Sequence, residues 1–466
     1  METQVAIVGA GPAGYTAALR LRQLGSEVVL IERDEIGGTC LNWGCIPTKA
    51  LFHATERIEA ALSGAAMGIR FAAPEVNVAE LRSWTTDVVT VLRDGVGTLL
   101  DGAGVAVVRS TARLATDGGL LLDDGERVKA ERIVLASGSA AIEIPSMPFD
   151  GETVWSSDDA LALTEIPERF LVIGAGVVGL EMALLYRRLG SEVTVVELAD
   201  RLLPTMDLDP RILSTLGRGL AQRGITVRLG DAAASFAPTG GAGVLTTASG
   251  VELEADRMLV AVGRRARTRE LGLEELSVAC DEAGRVTVDE GFATSVPGLY
   301  AIGDVIAGPM LAHKASADAL AVAAGLHGES FAVDYEAVPQ AVFTDPEVAC
   351  VGLSERSARE RGLTVDVGRF PYAALGRAQA MDESEGLFQV VADHDSGRLL
   401  GVQVVGAHAA DLIGIGALGL HGELTVHQLA DAVQVHPTLP EGLKEAAENA
   451  LGRAIHIAGR RPRREP

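Results

Sequence analysis

Two of the chain's four cysteines, Cys40 and Cys45, stand five residues apart in the run GGTCLNWGCIPTK at 37–49. A thiol pair this close can hold a metal, pack as inert core residues, or cycle between dithiol and disulfide. The spacing is not the C-x-x-C of a thioredoxin-like motif or a zinc knuckle, and His53 is the one further ligand type nearby. A redox-active dithiol is the favoured reading. At the start of a helix its thiolate form would be stabilised by the unpaired N–H groups. Cys280 and Cys350 have no partner in sequence and read as buried structural thiols.

The elements that would position such a pair show in an internal repeat. Residues 5–32 read VAIVGAGPAGYTAALRLRQLGSEVVLIE and residues 170–197 read FLVIGAGVVGLEMALLYRRLGSEVTVVE, aligned without a gap at an offset of 165 residues. In each copy a β-rich run leads into Gly-Ala-Gly-x-x-Gly. A helical stretch then ends at Leu-Gly, and a second β-rich run ends in glutamate. This is the grammar of a βαβ unit with a parallel sheet. Gly9 and Gly174 would make the tight turn, and Gly11 and Gly176 would let the backbone approach a pyrophosphate. Gly14 and Gly179 would let helix and strand pack closely. The phosphates would lie on free N–H groups at the helix start. Glu32 and Glu197 are placed to accept from ribose hydroxyls. A carboxylate at Glu197 would repel a 2′-phosphate, so the second site favours NAD(H) over NADP(H), with Arg201 as the feature against it. Two such sites in one chain imply two cofactors that exchange electrons.

The 466 residues suffice for about three domains. A composition that is 48% hydrophobic and 22% charged excludes wholesale disorder. A formal net charge of −23 argues against nucleic acid and anionic membranes as partners. No targeting segment and no membrane span is expected, so the default location is the cytoplasm. The apolar run at 412–420 is short and glycine-broken, which suits a buried helix. The basic tail at 460–464 reads as a disordered end.

GGTCLNWGCIPTKAL resembles the active-site signature of the pyridine nucleotide–disulfide oxidoreductases. Within that family it is most similar to the dihydrolipoamide dehydrogenases, the flavoprotein third component of 2-oxoacid dehydrogenase complexes. Further matches are AVGR at 261–264, YAIGD at 300–304, MLAHKA at 310–315 and FTDPE at 343–347. HPTLPE at 436–441 and ALGRAIH at 450–456 complete the set, so the resemblance spans essentially the whole chain.

The resemblance implies non-covalent FAD at the first site and NAD(H) at the second. It makes Cys40 the interchange thiol and Cys45 the thiol against the flavin. Lys49, one helical turn after Cys45, becomes the lysine near the flavin that pairs with a glutamate of the NAD domain, matched by Glu181. Asp304 resembles the aspartate that bonds the ribityl chain. Gly38, Thr39, Gly138, Gly263, Gly303 and the segment Met310, Leu311, Ala312 and His313 are assigned to cofactor contacts. The residues at 316–319 depart from the family's usual Glu-Gly ending, a change expected to bear on helix packing alone. His436 is expected to be the acid/base, since its proton affinity lies near working pH, with Glu441 orienting its other ring nitrogen. Pro440 stands where the family often has serine. No metal is expected.

The expected fold is α/β: two Rossmann-like dinucleotide-binding domains plus an α+β dimerisation domain. The FAD domain would take 1–145 and return at 269–338, with the NAD domain at 146–268 and the interface domain at 339–466. The resemblance implies a homodimer in which His436 and Glu441 enter the partner's site. It also implies docking on the lipoyl-bearing acyltransferase core of a 2-oxoacid dehydrogenase complex, or use of a glycine-cleavage lipoyl protein. The alternatives are an NAD(P)H-dependent reductase of another small disulfide, or a chain that serves mainly as a docking subunit.

Overall fold

A computed structural model describes residues 1–458 apart from 73, 117, 330 and 331. The basic tail at 460–464 lies outside the described residues. The chain forms two compact units, Met1–Ile166 with Val260–Tyr335, and Pro167–Leu259 with Glu336–Pro466.

In the first unit the strand Glu2–Val8 pairs in parallel with Val28–Glu32 on one side and Arg127–Leu135 on the other. Ala106–Arg109 extends the sheet beyond Val28–Glu32, and Leu299–Ala301 joins Arg127–Leu135 in parallel. The inner strands are unbroken apolar runs because both faces are covered: Val5, Ala6, Ile7 and Leu30 are fully buried. The helix Pro12–Gln23 starts on a proline and buries Ala13, Ala17, Ala18 and Leu21, one stripe at helical spacing. It packs against the helix Ala312–Leu326.

The second unit repeats the pattern. The strand Arg169–Ile173 pairs in parallel with Glu192–Glu197, which pairs with Ile225–Leu229, and the helix Val177–Leu189 connects the first two. The same unit holds a five-stranded antiparallel sheet, in the order Gln340–Val342, Val348–Gly352, Leu399–Val405, Leu387–Asp393 and Val365–Pro371. The helices Ala409–His421 and Glu441–Ala450 pack on that sheet. The expected buried helix at 412–420 lies inside Ala409–His421, with Leu412, Ile413, Gly416 and Gly419 buried and Leu418 exposed. Among the described residues no helix is long and apolar enough to cross a membrane.

The third glycine of each motif is required by contact. A Cβ at Gly14 would fall on the Gly9 carbonyl oxygen, and one at Gly179 on that of Gly174. Gly14→Ala should therefore push the first helix off its strand at a cost of at least about 3 kcal/mol, since backbone must move. The check is bound FAD per purified chain alongside the thermal midpoint; unchanged values would mean that the helix does not need this approach.

Candidate active site

The dithiol sits on two short helical starts. Cys40 lies in the helix Gly38–Trp43, and Cys45 opens the helix Cys45–Ser63 after Gly44. Both stand as thiols in the structure, Cys40 half-buried and Cys45 exposed; of the other two, Cys350 is buried as expected, whereas Cys280 is exposed, which corrects the expectation for it. The segment is tied to the first glycine loop: the Gly37 N–H donates to the Ala10 carbonyl at 2.8 Å, and a Cβ at Gly38 would lie 2.7 Å from Gly11 Cα. Asn42 Nδ2 donates to the carbonyls of Ile36 (2.9 Å) and Gly38 (3.0 Å), and Thr48 Oγ1 donates to that of Gly44 (2.6 Å).

The hydrogen bond with Cys45 pushes the Cys40 thiol well above the ordinary range. Burial and the charge of Cys45 add to this, and Lys49 pulls the other way. The two sulfurs and Lys49 thus form one electrostatic cluster that favours the thiol form of Cys40. Tyr15 belongs to it as well. Burial, and then the Cys40 charge, raise its hydroxyl. Sequence reasoning missed Tyr15, which carries no signal beyond following Gly14.

The two glycine loops are braced identically. The Ala10 N–H donates to Glu32 Oε2 at 2.6 Å, and the Ala175 N–H donates to Glu197 Oε2 at 2.6 Å. The second oxygens accept from Asp34 N–H (2.9 Å) and Ala199 N–H (2.8 Å). Each terminal glutamate therefore holds its own loop, a role the ribose assignment did not include. Each oxygen retains a further lone pair for a hydroxyl. The helix starts at Gly11 and Gly176 have no side-chain cap, and neither position has a neighbour within ordinary contact distance of a Cβ apart from Gly38 Cα at 3.9 Å from Gly11. Uncapped N–H groups in a glycine-lined cradle fit the diphosphates of FAD in the first unit and NAD in the second.

Arg201 does not oppose the NAD reading. Its guanidinium donates to the carbonyls of Leu203, Pro204 and Met206. Arg201→Ala should leave the ratio of NAD⁺ to NADP⁺ efficiency unchanged while lowering stability by about 1 kcal/mol. Steady-state KM values for both nucleotides and a denaturation curve check this. A marked gain or loss of NADP⁺ use would contradict it.

On the far side of the first unit, Asp304 Oδ2 accepts from Ser139 Oγ at 2.6 Å, and that Oγ accepts from Arg264 Nε at 2.8 Å. The Gly138 carbonyl accepts from Arg267 N–H, and the Gly263 carbonyl from Ile142 N–H. Met310 and Leu311 lead into the helix Ala312–Leu326, whose first turn holds His313. The residues at 316–319 do more than pack a helix, which corrects the sequence expectation. Asp318 Oδ2 accepts from the Gly303 N–H at 3.0 Å.

In the second unit His436 Nδ1 lies 2.9 Å from Glu441 Oε1, and the Thr438 N–H donates to Glu441 Oε2 at 2.7 Å. An ionised carboxylate only accepts, so the ring proton sits on Nδ1 and leaves Nε2 as the basic atom. The histidine side chain is 78% exposed and the glutamate 22%. Pro440 offers no side-chain cap to the helix Glu441–Ala450, and Glu441 is the acid of its first turn. Burial favours the neutral Glu441, but the Thr438 N–H and then His436 outweigh it and hold the carboxyl below its ordinary range. Glu181 is buried and accepts from the Phe343 N–H at 3.0 Å.

Paired nucleotide cradles and a dithiol beside the first define a two-cofactor redox protein. The description "Pyridine nucleotide-disulphide oxidoreductase" matches residues 3–319, and that family's dimerisation domain matches residues 338–447. The chain belongs to the pyridine nucleotide–disulphide oxidoreductase family. It is 44% identical to a dihydrolipoyl dehydrogenase of Thermus scotoductus, over 97% of this chain and 98% of that one. It is 40% identical to one of Haloferax volcanii, over 98% of each. Among solved structures, LpdA from Mycobacterium tuberculosis matches with a TM-score of 0.89 and 26% identity, over 96% of this chain and 99% of that one. The HOCl-induced flavoprotein disulfide reductase RclA from Escherichia coli matches with a TM-score of 0.85 and 27% identity, over the same shares. The protein is thus a flavin-dependent disulfide oxidoreductase with FAD and NAD(H) as its cofactors.

Proposed function

We propose that the protein oxidises protein-bound dihydrolipoamide to lipoamide with NAD⁺, as the third component of a 2-oxoacid dehydrogenase complex. The observation that carries this reading is the Cys40–Cys45 pair, whose two sulfurs are hydrogen-bonded to each other. In the oxidised enzyme the two sulfurs are joined. His436 Nε2 takes a proton from one substrate thiol, and the resulting thiolate attacks the Cys40 sulfur. The Cys40–Cys45 bond breaks, and Cys45 leaves as thiolate. His436 Nε2 passes its first proton on and takes a second, from the other substrate thiol. That thiolate attacks the substrate sulfur of the mixed disulfide and closes the product ring, and Cys40 leaves as thiolate. The protonated His436 then returns a proton to Cys40, whose thiol form is favoured by the hydrogen bond with Cys45. FAD, when bound, supplies the two-electron route from the reduced pair to NAD⁺.

Glu441 fixes the His436 tautomer and stabilises the imidazolium. His436 of the partner subunit serves each dithiol in the homodimer. Residues 1–145 and 269–338 form the FAD domain, 146–268 the NAD domain and 339–466 the interface domain. The enzyme works in the cytoplasm, and its charge of −23 favours salt-sensitive docking of a basic segment of the complex core.

A steady-state assay of the purified flavoprotein tests the substrate assignment. Dihydrolipoamide with NAD⁺ is expected to exceed glutathione and other dithiols, and NADP⁺, by at least about tenfold in kcat/KM. Preference for another thiol would move the reading to a reductase of small disulfides.

A further inference from the structure

Lys314 and Asp318, one turn apart on the helix Ala312–Leu326, are both 0% exposed and lie 2.7 Å from each other. They are not merely paired. Lys314 Nζ donates to the Gly303 carbonyl at 3.0 Å, and the Gly303 N–H donates to Asp318 Oδ2 at 3.0 Å. Both backbone groups of one residue are therefore held by the two members of one ion pair. Tyr335 closes the arrangement. Its hydroxyl donates to Asp318 Oδ1 at 2.9 Å, and its ring lies 5.0 Å from the Lys314 ammonium.

Gly303 itself cannot be moved far. It has φ +77, and a Cβ there would lie 3.1 Å from Ala13 Cβ and 3.4 Å from Ala315 Cβ. It is wedged between the helix that starts at the first glycine loop and the helix that carries the ion pair. The next residue is Asp304, which accepts from Ser139 Oγ, itself held by Arg264 Nε. Two charges out of water are costly unless geometry and hydrogen bonds are matched, and a packed aliphatic pair would hold two turns of helix together as well. What an aliphatic pair could not do is grip an amide N–H and its own carbonyl at once.

We propose that Lys314, Asp318 and Tyr335 are positioning residues that lock the Gly303–Asp304 peptide and thereby set how tightly FAD is retained. The inference rests on the assignment of Asp304 to FAD. Asp318 lies in the stretch at 316–319, and its carboxylate reaches the Gly303 amide. Burial raises the Asp318 carboxyl, and Lys314 opposes that rise, in keeping with a charged pair held against its environment.

The test uses the full-length holoprotein and reads FAD release on dilution by flavin fluorescence, the visible flavin circular dichroism and the melting of the apoprotein. The double variant Lys314→Met with Asp318→Asn removes both charges at similar size. It should melt near the parent in the apo form yet release FAD about tenfold faster, with altered flavin dichroism. Tyr335→Phe, which keeps the ion pair, should release FAD about threefold faster, and it decides the matter if the double variant does not fold. Parent-like FAD release in these variants would overturn the proposal. Asp304→Asn separates the two layers. If it retains FAD like the parent while the lock variants lose it, the Asp304 assignment falls and the lock stands. If it loses FAD and they do not, the lock falls.

Discussion

Cys45→Ser is expected to abolish dihydrolipoamide oxidation, by about 10⁴-fold or more, while FAD stays bound. A serine hydroxyl can neither form the disulfide with Cys40 nor leave as a stabilised anion when that bond is attacked, so the exchange has no first step. The elements proposed to hold the FAD diphosphate and ribityl chain do not depend on this sulfur. The Glu32 brace on Ala10 and the Ser139 bond to Asp304 do not involve Cys45. Cys40→Ser should lose turnover equally, since the substrate thiolate attacks that sulfur. Cys280→Ser should change little, because Cys280 is an exposed thiol with no partner sulfur. The checks are NADH formation from dihydrolipoamide and the flavin content of each variant. A Cys45→Ser protein with substantial turnover would remove the dithiol from the mechanism.

His436→Gln should lower kcat/KM for dihydrolipoamide by about 10²- to 10⁴-fold, the usual contribution of a positioned acid/base. The loss should be confined to the thiol half of the reaction. NADH-driven reduction of an artificial electron acceptor needs no thiol deprotonation, and its rate should stay near the parent's. Equal loss in both assays would mean that His436 acts on folding or cofactor binding instead. The pH dependence has a definite sign. Glu441 is held below its ordinary value of 4.5, so its charged form is the one stabilised by folding. Its bond to His436 is intact above that range and is lost only as pH falls through the lowered value. Loss of the orienting carboxylate should therefore not contribute to any fall in rate at pH values above that range.

The features that were legible in the sequence are those encoded within a few residues of one another. The glycine motifs at 9–14 and 174–179, the Cys40–Cys45 pair and the His436–Glu441 dyad each sit inside a short window. The structure brings each into the geometry such spacing implies. What was not legible depends on which backbone group a side chain turns to in the fold. Glu32 was assigned to a ribose, yet its carboxylate braces Ala10, 22 residues away. Arg201 looked free to meet a phosphate, but its guanidinium turns onto carbonyls at the end of its own loop. Asp318 read as a helix residue of no chemical consequence, and its carboxylate reaches Gly303. Side-chain type says that these groups need partners when buried; only the fold says which backbone amide supplies them.

The central claim is that Cys40 and Cys45 alternate between disulfide and dithiol during turnover, and thiol counting tests it most directly. The holoprotein is alkylated in denaturant as isolated, and again after anaerobic addition of excess dihydrolipoamide without NAD⁺, and the labelled peptides are quantified. The account predicts that Cys40 and Cys45 are unlabelled and joined before reduction and both labelled after it, with Cys280 and Cys350 labelled in both samples. Labelling of Cys40 and Cys45 that does not change with dihydrolipoamide would contradict it.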